Sequence, residues 1–192
     1  MTVDALGRAR PRLPLLSFFA LAVLFAGPVL THEAVFGSNV GLIAAGSGVA
    51  VGLLIAAAST RWSWDTLSTL AALLVAYFLL GGPIALPSTV RWGVVPTTDT
   101  LLTLVRGSVS SWKDLLTLTP PAASYVGPAL VPWITGLLCA LISGLVSVRW
   151  GRPLLGIIPV AVMGVVGLAF GLSGVVPPVW PFMVWCAGAF LW

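Results

Sequence analysis

His32 and Glu33 stand side by side, an imidazole next to a carboxylate, which is half of what a metal site or a general base needs. The chain holds a single histidine, so a zinc site would be short of ligands, and the pair reads as an interfacial cap in a turn over 31–39. Gly171-Leu172-Ser173-Gly174 sets a serine between small residues, a setting that a nucleophile uses. A serine attacks only with a base within hydrogen-bond reach, and no histidine follows position 32. The stretch therefore reads as the end of a glycine-rich loop. Cys139 and Cys186 both fall inside apolar runs, where a thiol behaves as a small core or lipid-facing side chain rather than as half of a disulfide. Asp99, Arg106, Lys113 and Asp114 share one polar segment and could form a ligand site; their spacing reads first as the solvated face of a helix. No catalytic set, metal site or cofactor site is expected from these residues.

The elements that would have to position them are set by composition. A soluble domain carries about 25% charged residues, whereas this chain of 192 carries 7%, with 59% apolar residues and a mean hydropathy of +1.10. That leaves too little polar surface for water, so one membrane-embedded domain is expected over 13–192, after a polar cytoplasmic tail at 1–12. The net charge of +4 is spread over short loops and forms no stripe for nucleic acid. Apolar runs predict spans at about 13–30, 40–59, 66–86, 127–148, 154–170 and 178–192, the last one incomplete. A basic start before an apolar run also fits a signal peptide; the length of the run and the later spans favour an uncleaved first helix. An all-α polytopic transmembrane bundle follows, because lipid leaves no water for unpaired backbone groups and no barrel-like alternation appears. Gly48-x-x-x-Gly52 and Gly167-x-x-x-Gly171 each put two small residues on one helix face, where a neighbouring backbone can come close. Gly81-Gly82-Pro83 is expected to kink or end the third span.

Between the third and fourth spans, 87–126 is too polar to cross. Within it, 99–118 has helical periodicity: Leu102, Val105, Val109, Trp112 and Leu116 form an apolar stripe, and Asp99, Thr103, Arg106, Ser110, Lys113 and Thr117 a polar one. Such a helix would lie in the interface or pack across the mouth of the bundle. Gly107-Ser108 is a candidate break, and Ser111-x-x-Asp114 a capping box for a second short helix ended by Pro120-Pro121.

Orientation follows from the basic residues. With the N-terminus inside, Arg8, Arg10, Arg12, Arg61, Arg149 and Arg152 fall on the cytoplasmic side, and only Arg91, Arg106 and Lys113 fall outside. The 87–126 segment is then extracytoplasmic. At about 1.5 Å per residue, 178–192 reaches about 22 Å, against a hydrocarbon core of about 30 Å. Either the last helix is half-inserted or the chain is the front of a longer polypeptide, and the longer polypeptide is the expectation.

Trp112-Lys113-x-Leu115-Leu116-Thr117-x-x-Pro120-Pro121, followed by a span and then Arg149-x-x-Arg152-Pro153, resembles the N-terminal membrane region of actinobacterial membrane-anchored transglutaminase-like proteins. The resemblance covers most of the chain in layout and rests on these motif residues. It implies a multi-span anchor ahead of an extracytoplasmic, papain-like domain that performs acyl transfer or peptide hydrolysis with a Cys-His-Asp set. Nothing in this chain matches that set, and Cys139 and Cys186 have no His partner. The implied role is that of an anchor and scaffold without its enzyme, partnered by the lipid bilayer and by the missing domain of the same polypeptide. A further crossing would be needed, since a sixth span completed from outside ends inside. The Gly-Leu-Ser-Gly stretch is also similar to the serine motif of rhomboid-type intramembrane proteases, but the histidine they need is missing. Six short spans resemble, too, the small substrate-binding subunits of some vitamin importers, so a small transporter or channel subunit is the alternative. The expected spans hold no ionisable residue, which argues against ion coupling. Oligomeric state is not legible.

Overall fold

The computed structural model describes residues 14–36, 38–93, 95–117, 127–171 and 183. Among them are six helices: α1 Pro14–Phe36, α2 Asn39–Arg61, α3 Thr66–Ala85, α4 Thr98–Thr117, α5 Leu130–Gly144 running on into a π turn Leu145–Arg149, and α6 Pro153–Gly171. No strand occurs among the described residues, and α1, α2, α3, α5 with its π turn, and α6 are each long and apolar enough to cross a membrane. The expected all-α bundle with one amphipathic helix is what the chain forms. Apart from Met183, the sixth apolar run lies outside the described residues, as do Ser173 and Cys186.

α5 is the axis of the bundle, with 72% of its span buried, whereas α3 sits at the rim with 17%. Its main contact is with α2, and small residues make it. A Cβ on Gly48 would lie 2.6 Å from the Trp133 carbonyl oxygen, and one on Gly136 would lie 2.7 Å from that of Ala45. Farther along, a Cβ on Gly144 would meet the Ala56 methyl at 2.6 Å. The Gly48-x-x-x-Gly52 face is thus a contact face, and it meets Gly136-x-x-x-Ala140-x-x-x-Gly144 on α5. This close approach gives α2 and α5 the van der Waals contact on which association of helices in hydrocarbon rests. Trp133, fully buried, fills the space between α5, Gly81 of α3 and Leu104 of α4. A second apolar cluster, with Phe25, Leu53 and Met163, joins α1, α2 and α6.

The side-chain contacts fix the two ends. Ser59, Thr69 and Arg149 meet at one end, which brings together the end of α2, the start of α3 and the end of the π turn. Thr31 of α1 approaches Gly167 of α6, and Gly81 of α3 approaches Trp133 of α5, toward the other end. α4 belongs to this second end, hereafter the α4 end; the first is the Arg149 end.

Three expectations are corrected. The turn over 31–39 is mostly helix, because α1 continues past Pro28 to Phe36. Thr31 Oγ1 donates to the Pro28 carbonyl at 2.6 Å and His32 Nδ1 approaches it at 2.9 Å, so polar side chains fold back onto the helix. His32 is consequently buried, at 3% exposure, rather than an interfacial cap. Nor does α4 break at Gly107-Ser108: it is one helix, and its capping box is Thr97-x-x-Thr100, not Ser111-x-x-Asp114. The Thr100 amide donates to Thr97 Oγ1 at 3.2 Å and the Thr97 amide to Thr100 Oγ1 at 3.1 Å, a reciprocal closure of the first turn.

The third correction concerns the seat of α4. Its buried face is Thr100, Leu104, Gly107, Ser111 and Leu115, whereas Leu102, Val105 and Val109 of the expected stripe are 52%, 57% and 80% exposed. Gly81 and Gly82 open room beneath Leu104 and Thr100, and Gly107 rests on Leu130 of α5. The Tyr77 hydroxyl donates to the Leu104 carbonyl at 2.9 Å and lies 2.8 Å from Ser108 Oγ. At the far end of the helix the Trp112 ring meets Phe170 of α6, 6.1 Å between centroids. α4 thus runs beside α3, past Leu130 at the start of α5, to Phe170 of α6.

Candidate functional site

The residues of the expected motif divide between the two ends. On α4, Trp112 is half-buried against Phe170, Lys113 is exposed, Leu115 is buried, and exposed Thr117 donates to the Asp114 carbonyl at 3.0 Å. Pro120, Pro121 and the side chain of Leu116 lie outside the described residues. Arg149 and Arg152 stand at the opposite end, so the two parts of the motif do not share a site.

At the α4 end, the exposed polar edge consists of Asp99, Arg106, Ser110, Lys113, Asp114 and Thr117. It is rigidly mounted, because Tyr77, Gly81 and Leu130 hold the opposite face of the helix. Beside it the loop from α3 closes on itself through paired Arg91 and Val95 backbone groups at 2.9 and 3.0 Å. The Arg91 guanidinium lies 5.2 Å from the centroid of the Trp92 ring. An open apolar groove of about 400 Å³ runs between α3 and the start of α4, lined by Leu74, Val75, Phe78, Leu79, Pro96 and Leu101.

At the Arg149 end, the Arg149 guanidinium donates to Ser59 Oγ at 2.9 Å, and Ser59 Oγ lies 2.9 Å from Thr69 Oγ1. Thr69 Oγ1 in turn donates to the Asp65 carbonyl at 2.9 Å. One cation thereby ties three helices through a fully buried serine. Asp65 caps α3, accepting from the Ser68 amide at 3.1 Å. Hydrogen bonds from the Ser68 side chain and amide hold its carboxyl below the usual carboxylate range. Arg61, Arg152, Trp62 and Trp150 are exposed around this network.

Inside the bundle, His32 Nδ1 faces a carbonyl that can only accept, so Nδ1 carries the hydrogen and Nε2 is left as a buried acceptor without a partner. Sequence reasoning missed this setting, and Ser59, Tyr77 and Ser108 with it. The contacts Ser59–Thr69, Tyr77–Ser108 and Arg149–Ser59 join residues 10 to 90 positions apart, beyond any local pattern. His32 is only four residues from Pro28, but the polar stretch after Pro28 reads as a turn. No group of three or more potential metal-ligating side chains occurs among the described residues.

The fold and its two ends define a class: an all-helical bundle with five helices able to span a membrane and one amphipathic helix across an end. Comparison with known proteins adds no closer assignment, since no family model, curated protein or solved structure gives a significant match.

Proposed function

We propose that this chain is the membrane anchor and scaffold region of a transglutaminase-like protein whose catalytic domain lies outside this sequence, with α4 on the extracytoplasmic side. The observation that carries this reading is the mounting of α4. It is a continuous helix seated on three others, and it offers a polar edge on which a further domain could rest. The orientation is supported by Arg61, Arg149 and Arg152 at the opposite end, where α1 also begins after Arg8, Arg10 and Arg12 in the sequence.

The test is to read the gene beyond the codon for Trp192 and to weigh the native protein. An open frame entering a domain with Cys, His and Asp in that order supports the reading. A stop codon there, with a native mass of 19.9 kDa, ends it.

A small transporter or channel subunit is the second reading, favoured by the unpartnered His32 Nε2 inside a span. Ligand-dependent stabilisation in detergent that is lost in His32→Leu would support it.

A further inference from the structure

The bundle uses one face of α4 and, beside it, Ser108 and Trp112. At 3.6 residues per turn, successive side chains step by about 100°. The seated residues Thr100, Leu104, Gly107, Ser111 and Leu115 then fall within a sector of about 80°. Leu102, Val105 and Val109, all exposed, fall in a second sector of about 60°, roughly opposite the first. Arg106 and Lys113, both exposed, come next around the helix, on the border of that apolar sector. Asp99 lies farther round, and Asp114 farthest, next to the seated face.

This order is the one a membrane surface selects. Long basic side chains at the edge of an apolar face can lay their stems on hydrocarbon and place their charges among lipid phosphates. Of the two acids, Asp114 lies about 80° beyond Arg106, whereas Asp99 follows Arg106 by about 20°. The apolar sector is also continuous with a span. Leu101, 40% exposed, shares the groove of about 400 Å³ with Leu74, Val75, Phe78 and Leu79 of α3. Arg106 and Lys113 are seven residues apart, about 10.5 Å along the axis, so each can meet its own headgroup.

We propose that α4 is seated in the lipid headgroup layer, with Leu102, Val105 and Val109 dipped into the acyl boundary and Arg106 and Lys113 binding phosphates of anionic lipid. This goes beyond the anchor reading and stands apart from it: a failure here leaves the reading frame beyond Trp192 unaffected, and the converse also holds.

The test uses the full chain in nanodiscs of phosphatidylcholine with and without phosphatidylglycerol. An environment-sensitive dye is placed at Val109→Cys or at Ser110→Cys, with Cys139→Ala and Cys186→Ala in both. Both labelled positions are exposed, and a monodisperse elution profile verifies the fold. The expected result is blue-shifted emission at position 109, quenched by lipid spin-labelled near the headgroup, and water-like emission at 110. Water-like emission at both overturns the proposal. Blue-shifted emission at 109 without lipid quenching also overturns it, and assigns the face to protein. In native mass spectra, neutralising both basic residues (Arg106→Gln with Lys113→Gln) is expected to lower phosphatidylglycerol retention about fivefold per charge. The pair Asp99→Asn with Asp114→Asn should not lower it. Equal retention in both pairs overturns the headgroup assignment.

Discussion

Arg149 and Ser59 are 90 positions apart, yet one hydrogen bond between them helps close the Arg149 end of the bundle. A hydrogen bond from a charged group contributes about 1.5–3 kcal/mol net. Arg149→Gln and Ser59→Ala are each expected to lower the melting temperature in detergent. The double variant should lower it little further than Ser59→Ala, which already removes the Arg149 contact along with that to Thr69. Asp65 supplies a pH signature at the same end. Its carboxyl is held below its ordinary value of 3.8 by Ser68, so the folded state favours the carboxylate. That contribution is fully present above about pH 4 and fades as the pH falls through the folded-state value. Asp65→Asn keeps a capping side chain but has no charge to lose. Acid unfolding curves of this variant should therefore be flatter below about pH 4 than those of the parent.

Among the elements, the α2–α5 contact offers a comparison within one helix. A Cβ on Gly52 would stand 2.5 Å from the Leu137 carbonyl oxygen, whereas one on Gly46 would meet Val29 at an ordinary 3.8 Å. Gly52→Ala should cost about 1–3 kcal/mol, as overpacking does. Gly46→Ala should be neutral or stabilising by up to about 1 kcal/mol, since alanine favours the helix. Thermal unfolding of both variants in one detergent checks the contrast. α4 depends on Tyr77 in a similar way: Tyr77→Phe removes the donor to the Leu104 carbonyl and the contact with Ser108. Amide exchange in α4 is expected to quicken while that in α5 stays unchanged. The bounds of α4 were legible to within a residue, 99–118 expected against Thr98–Thr117 found, but its seat was not. Threonine, glycine and serine read as polar or as breakers in a periodicity argument. In the bundle these small residues let the helix lie close beside Leu104 and Leu115, while Leu102, Val105 and Val109 stay outside.

For the whole molecule, the checkable statement is which end faces which compartment. Cysteines at Ser110 and Lys113, both exposed on α4, should react with an impermeant maleimide in whole cells. One at Ser63, exposed in the turn between α2 and α3, should be protected. Labelling at Ser63 with protection at both α4 positions would reverse the orientation and with it the proposed placement of a further domain.

Composition and hydropathy by themselves determined the all-helical class, the five helices long and apolar enough to cross a membrane, the amphipathic helix and the Gly48-x-x-x-Gly52 contact face. These are properties of single segments, because the medium acts on each run of residues separately: it demands paired backbone groups and rejects charge. What only the tertiary structure decided is which faces meet. His32 passes from turn to buried interior because α1 continues beyond Pro28, and Arg149 reaches Ser59 because α2 and α5 end together. The stripe on α4 turns outward because Gly81, Gly82 and Leu130 offer a closer fit to the opposite face. Such choices depend on the shapes of two surfaces at once, and a pattern along one strand of sequence carries only one of them.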